Sequence, residues 1–385
     1  MGVMRGLSVA GTGAIRIGIL PFSVTFQSQD RKKAGSGRCN WSSKNDAGKT
    51  RKITMTAALS SAAICEALDG PDAVQISRLP LVPLRAGEMR VRLKAAALNF
   101  PDLLMTYGKY QFRPEPPFTL GMEGAGVVEE IADGIPGYKI GDRVLVKSKT
   151  GAFAEHMTVN AQMVEPMPPH LTFEEGAAFA VTFMTANVAL IDRAKLQTGE
   201  ILLVLGAGGG VGQATVAWGH AMGAMVIAGA SSDEKLEIAR QSGADYLVNY
   251  DREDFAKAVN RITKGAGADV ILDPVGGYCF ENSLNCIAFG GRIVVAGFAG
   301  GRFGILRPDL LKAKGAAVVG VRAGEFGRRD PAAGKRSHAR LLEFSGTHNL
   351  RPVIGRSWLL QDVPGALRAM ERREVSGKQI ILIEK

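Results

Sequence analysis

Residues 206–212, Gly206-Ala207-Gly208-Gly209-Gly210-Val211-Gly212, follow five apolar residues, Ile201-Leu202-Leu203-Val204-Leu205. Glycines at such a turn let the backbone come close to a pyrophosphate. A helix starting there puts its positive end on the phosphate charge. The spacing is Ala207-x-Gly209-x-x-Gly212, a dinucleotide fingerprint with Ala at its first place and Gly210 and Val211 inside it. A glycine-rich turn alone is often only a turn. Here a second apolar stretch, Met225 to Ala230, begins where a strand–helix–strand unit of about 30 residues would place it. That stretch lacks a terminal acid to bind a ribose 2′-hydroxyl. It runs into Ser231-Ser232-Asp233-Glu234-Lys235. Hydroxyls and a lysine suit a 2′-phosphate, which favours NADP(H) over NAD(H) and points to hydride chemistry. The alternative is a helix N-cap serine followed by a solvated Lys235.

These groups need a sheet that presents its carboxyl edge. Residues 182 to about 320 alternate strand and helix, with strands at Leu202–Leu205, Met225–Ala228, Tyr246–Val248, Val270–Leu272, Arg292–Ala296 and Ala317–Val321. That is the pattern of a doubly wound parallel sheet, an α/β fold. Residues 62–180 read as β-rich, with short strands Val74–Ile76, Met89–Lys94, Gly126–Ile131, Arg143–Lys147 and Ala154–Val159 between Gly and Pro turns. The tail, from about 325, is mixed and ends in a strand from Gln379 to Ile383.

The net charge of +10 looks like a nucleic-acid signal until it is located. Residues 1–54 hold ten Lys/Arg against Asp30 and Asp46, a net of +8, which leaves +2 for the other 331 residues. The near-neutral body gives no case for nucleic acid. The basic, acid-poor segment has the composition of a transit peptide and is expected to be disordered. The other reading is an extension with Met55 as the working start. The protein is thus expected in the cytoplasm or, given a transit peptide, in a mitochondrion or another organelle. Four cysteines (Cys39, Cys65, Cys279, Cys286) form no C-x-x-C pair, which suggests a reducing compartment. No uninterrupted apolar run of eighteen residues occurs, so a soluble protein and no membrane span are expected.

Several motifs in order carry a family resemblance. They are Ala97-Leu98-Asn99-Phe100-Pro101-Asp102, Leu120-Gly121-Met122-Glu123-Gly124-Ala125-Gly126-Val127-Val128, Gly141-Asp142-Arg143-Val144 and Gly151-Ala152-Phe153-Ala154-Glu155-His156. Asp273-Pro274-Val275-Gly276-Gly277 and Gly291-Arg292-Ile293-Val294-Val295-Ala296-Gly297-Phe298 follow. Residues 62–385 resemble the medium-chain dehydrogenase/reductase superfamily, in its quinone oxidoreductase (zeta-crystallin-like) branch. The resemblance implies a Rossmann domain inserted in a GroES-like catalytic domain. The expected division is 1–60 basic extension, 61–181 catalytic domain, 182–324 nucleotide-binding domain and 325–385 catalytic domain again. It also implies a homodimer paired through the last Rossmann strands.

In the zinc alcohol dehydrogenases a cysteine stands at the position of Asn99 and a histidine at that of Met122. Catalytic zinc takes about three protein ligands, and Glu123 alone does not supply them, so no metal is expected. Without a Lewis acid a simple alcohol is a poor substrate. A quinone or an α,β-unsaturated carbonyl is already electrophilic. It needs a placed hydride and modest hydrogen bonding to the developing oxyanion.

The resemblance assigns site residues. Tyr110, in Gly108-Lys109-Tyr110, matches a tyrosine lining the active site and is the candidate hydrogen-bond or proton donor; packing of a loop tyrosine is the plainer reading. Asn99 matches an asparagine facing the cofactor, or is a turn residue before Pro101. Thr185 matches a threonine at the nicotinamide, Tyr250 a residue beside the adenosine phosphate, and Lys378 a near-terminal lysine that reaches the cofactor. Gly297 and Phe298 follow a strand and meet the nicotinamide end at the sheet's carboxyl edge. Arg322 and Ala323 stand where relatives often carry aromatics. The expected activity is NADPH-dependent, zinc-independent reduction of quinones or α,β-unsaturated carbonyls. The alternatives are an enoyl-thioester reductase or a non-catalytic NADPH-binding protein.

Overall fold

In the computed structural model, residues 58–383 are described, and residues 1–57 of the basic extension lie outside them; Leu59 and Ser60 already pair with Pro80 and Leu79, so the β-rich unit begins before residue 61. Strand Ile201–Leu205 is apolar at every position because it is paired on both sides and covered on both faces. Leu203 sits in register with Ile227 of Met225–Ala230 and with Ile271 of Ala268–Asp273, both parallel. A strand so enclosed has no solvent face and needs no polar alternation. The full sheet runs Tyr246–Asn249, Met225–Ala230, Ile201–Leu205, Ala268–Asp273, Ile287–Val295, Ala317–Gly320, all parallel. In chain order this is 3-2-1-4-5-6, the doubly wound arrangement. Its order reverses beside the strand that leads into the glycine turn, which is where such sheets bind ligands.

The β-rich unit is built around strand Glu88–Ala97. It pairs antiparallel with Glu123–Ile131, with His156–Asn160 and, at Ala95–Ala97, with the near-terminal strand Lys378–Leu382. Small residues allow that convergence: a Cβ on Gly126 would lie 2.2 Å from the Arg92 carbonyl oxygen. The last strand thereby delivers Lys378 to the loop after Ala97, where Asn99 stands.

Helix Phe173–Asn187 joins the two units. Thr172 accepts from the Glu175 N–H and Glu175 reaches back to the Thr172 N–H, a capping box that fixes its start. Phe179 and Phe183 stack at 4.7 Å and pack in one core with Ala95, Ala97 and Leu145 of the catalytic sheet and with Ala214 of the glycine-turn helix. Each such fully buried ring stabilises the join by roughly 1.5–3 kcal/mol.

The strands expected from sequence are present with shifted ends; the last runs Lys378–Leu382, not Gln379–Ile383. Further strands were not expected, among them Phe118–Thr119, Val164–Pro166 and Ile354–Leu359. The first two of these are too short for a period to show. The third, Ile-Gly-Arg-Ser-Trp-Leu, has a broken apolar alternation. Helix Pro331–Thr347 stacks Phe344 on Trp218 at 4.6 Å, so it packs with the nucleotide-binding unit. The 181/182 and 324/325 boundaries remain our proposed division, with this helix crossing over to the nucleotide-binding side of the second.

Candidate active site

The glycine turn is shaped by backbone contacts. Gly206 takes φ 59°, and the Gly209 N–H donates to its carbonyl at 3.0 Å. Ala207 is buried, and its N–H donates to the Gly229 carbonyl at 3.0 Å. A Cβ on Gly212 would stand 2.2 Å from the Gly206 oxygen, so no side chain fits there. Helix Gly210–Ala221 then begins, with Val211 packed toward the core. Its first turn offers unpaired N–H groups and the positive end of the helix dipole to an anion.

At the end of strand Met225–Ala230, Lys235 Nζ donates to Ser231 Oγ at 3.3 Å and to the Arg373 carbonyl at 3.2 Å. The Ser231 hydroxyl also lies beside the Tyr250 phenol, which burial pushes well above its ordinary pKa. Lysine, serine and tyrosine therefore converge. Ser232 is different: it caps helix Asp233–Gln241, accepting from the Lys235 N–H at 3.3 Å. The N-cap alternative thus holds for Ser232, and the convergence holds for Ser231 and Lys235. Arg373 was missed in the sequence. It is a non-glycine residue at φ 60°, and this conformation turns its carbonyl to Lys235.

The other end of the site is a buried polar cluster. Lys378 Nζ donates to Asn99 Oδ1 at 2.6 Å and to Glu123 Oε1 at 2.9 Å. Asn99 Nδ2 donates to Glu123 Oε1 at 2.9 Å and to the Ala97 carbonyl at 3.2 Å. Glu123 Oε2 accepts from the Val181 N–H at 2.8 Å. The residues are 8 %, 0 % and 3 % exposed for Asn99, Glu123 and Lys378. Both amide hydrogens of Asn99 are used, so its side chain has none left for an acceptor. Its geometry is that of a holder for Lys378, not of a donor to substrate. Lys378 Cδ lies against the glycine turn, 3.1 Å from where a Gly210 Cβ would be.

Asp102, at the start of helix Phe100–Thr106, accepts from the Asn99 N–H at 2.9 Å. Its other oxygen has no partner among the described residues. Burial pushes its carboxyl up to about 7, with the Asn99 N–H and Lys378 acting the other way. The folded state then binds a proton that the unfolded chain releases near pH 4, so stability falls as pH rises from about 4 to about 7. Asp102→Asn removes that loss. In urea melts its stability relative to the parent should rise by roughly 2–3 kcal/mol between pH 5 and pH 8. A difference that does not change with pH would place the titration elsewhere.

Tyr110 is half-buried in the loop after helix Phe100–Thr106, and its hydroxyl makes no hydrogen bond among the described residues. Thr185 donates its hydroxyl to the Val181 carbonyl at 2.7 Å. Thr182, one turn earlier, is the threonine whose methyl meets the Gly210 position, at 3.1 Å. The two lie three apart on one helix, and the sequence pattern did not separate them. Gly297 closely approaches the Pro274 carbonyl, and Phe298 packs on Phe303 with centroids 4.5 Å apart, both past the end of strand Ile287–Val295. Arg322 is exposed.

The donor set does not fit zinc. Asn99 and Met122 offer no thiolate or imidazole, and Glu123 is taken by Lys378. Among the described residues no three His, Cys, Asp or Glu side chains group as metal ligands. No helix among them is long and apolar enough to cross a membrane.

Comparison with known proteins agrees with this architecture. Residues 85–169 match the alcohol dehydrogenase GroES-like domain and residues 210–334 match the zinc-binding dehydrogenase family. Quinone oxidoreductase-like protein 2 of Bos taurus is 34% identical over 324 residues, covering 84% of this chain and 92% of that protein. A probable oxidoreductase from Mycobacterium abscessus superposes with a TM-score of 0.78 at 33% identity, over 84% of this chain and 99% of that one. The quinone oxidoreductase from Thermus thermophilus, also solved in complex with NADPH, gives 0.72 at 33% identity, over 84% and 100%.

Proposed function

The chain belongs to the medium-chain dehydrogenase/reductase superfamily, in its quinone oxidoreductase branch, and is an oxidoreductase that uses a nicotinamide cofactor; from that premise we propose that it is an NADPH-dependent, zinc-independent reductase of quinones or α,β-unsaturated carbonyls. The observation that carries the reading is the Asn99–Glu123–Lys378 cluster. The Lys378 ammonium is held by Asn99, which takes the place of a metal-ligating cysteine in the zinc enzymes, and by Glu123, the chain neighbour of Met122. A bound NADPH supplies the hydride.

The chain's own residues do the rest. Ser231, Lys235 and Tyr250 form a cationic, hydrogen-bonding corner for the 2′-phosphate, with Arg373 holding Lys235 through its carbonyl. The first turn of helix Gly210–Ala221 takes the pyrophosphate. Two of the three Lys378 hydrogens go to Asn99 and Glu123, and the third is left for the cofactor beside Gly210. Thr182 packs against the same turn, and Phe298 closes the nicotinamide end. The unpaired Tyr110 hydroxyl donates to the acceptor oxygen as negative charge builds there. Without a Lewis acid nothing activates a simple alcohol, and an acceptor that is already electrophilic fits this site.

A homodimer is part of the proposal. Ala317–Gly320 is the open edge of the parallel sheet, and the segments that precede it in the chain expose apolar side chains: Tyr278, Phe289 at 83% exposure, Phe303, Ile305 and Leu306. An uncovered edge beside such a surface suits pairing with a second copy, and sedimentation velocity reads it.

The test is NADPH oxidation with quinones, enals and enoyl thioesters, with and without a chelator. Quinones or enals should be reduced in both conditions. Activity lost in chelator and restored by zinc would overturn the metal assignment. A preference for enoyl thioesters would favour a thioester reductase.

A further inference from the structure

Glu123 joins the polar cluster to the helix between the two units. Its Oε1 receives Asn99 Nδ2 and Lys378 Nζ, both at 2.9 Å. Its Oε2 receives the Val181 N–H at 2.8 Å, in the middle of the helix that joins the two units. Val181 directly precedes Thr182, whose methyl faces Gly210. One carboxylate thus ties the strand Glu123–Ile131, the Asn99 loop, the near-terminal strand and the joining helix.

The Lys378 side chain is long, and nothing in its own strand fixes where the ammonium stands. Asn99 and Glu123 fix it. The carboxylate contributes the charge, because Asn99 is neutral and the Lys378 side chain is 4% exposed. Glu123 in turn has Lys378 as its only ion-pair partner among the described residues. The same segment reaches the glycine turn by another route, since the Gly377 N–H donates to the Gly208 carbonyl at 2.8 Å. The ammonium therefore stands beside the turn, 3.9 Å from where a Gly210 Cβ would be.

We propose that Glu123 is a positioning residue for the cofactor: it holds the Lys378 ammonium and the Val181–Thr182 segment against the glycine turn, so that the pyrophosphate and nicotinamide half of the dinucleotide binds a preset cation. This rests on Lys378 meeting the cofactor. Glu123 itself touches neither cofactor nor acceptor. Removing its charge should loosen that half of the site and leave the Lys235 corner intact.

Binding of NADPH and of adenosine 2′-monophosphate separates these halves, because the second probe carries the adenosine 2′-phosphate with neither the pyrophosphate nor the nicotinamide. For Glu123→Gln the NADPH dissociation constant should rise about tenfold or more, and that for the 2′-monophosphate should stay within about twofold. Glu123→Asp keeps the charge but draws it back by one methylene. It should show the same selectivity at smaller size, and it reads the proposal if the glutamine variant does not fold. Equal losses for both probes would mean a structural role only and would overturn the inference. So would unchanged or tighter NADPH binding. Lys378→Met separates the premise from the inference. If it leaves NADPH affinity unchanged, the cofactor role of Lys378 falls. If it weakens NADPH and Glu123→Gln does not, Lys378 acts without Glu123 and the positioning role falls.

Discussion

Tyr110→Phe should slow reduction of an enal or an enoyl thioester by about 10²–10⁴-fold, and reduction of a quinone by less than about tenfold. Alkene reduction builds an enolate oxygen whose charge needs a donor. Tyr110 is half-buried, and its hydroxyl makes no hydrogen bond among the described residues. A quinone accepts hydride without such help, and there the phenol supplies little beyond orientation. Steady-state rates with both acceptor classes check this, with NADPH affinity as a control. Affinity should barely change, because the hydroxyl is assigned to the acceptor side. No loss with any acceptor would remove Tyr110 from the mechanism.

Lys235→Ala should weaken NADPH binding by about 10–100-fold and NADH binding by less than about threefold. The lysine is held ready by Ser231 and the Arg373 carbonyl, so little side-chain entropy is lost when a phosphate arrives. Titration of both cofactors measures the difference. Equal losses would show that Lys235 does not meet the 2′-phosphate.

The nucleotide-binding half was legible because its signals are local. A five-residue apolar strand, a glycine turn and a helix start are contiguous, and a close backbone approach permits only glycine at Gly212. The Ser231–Lys235 corner was legible for the same reason. Ser232 resolved into a helix cap, which only the backbone geometry of Asp233–Gln241 could decide. The buried cluster was only half legible. Asn99 and Lys378 were found through resemblance to motifs, but their contact joins residues 279 apart in the chain. In the sequence Glu123 reads as a solitary metal-ligand candidate, because sequence does not show that an ammonium from the last strand occupies it. Asp102 sits in the same motif as Asn99, yet its raised pKa comes from burial, a tertiary property. Thr182 and Thr185 differ only in which face of one helix they occupy. Arg373 acts through its carbonyl, for which its side-chain type gives no signal.

Metal-free hydride transfer from NADPH to an activated acceptor is the reaction we propose for this site. It is read by following NADPH consumption and acceptor loss together, with NADH in parallel, on purified protein held in chelator. One acceptor should be reduced per NADPH consumed, with kcat/KM for NADPH at least about tenfold above that for NADH. Protein that binds NADPH yet oxidises it with no quinone, enal or enoyl thioester would contradict this reading.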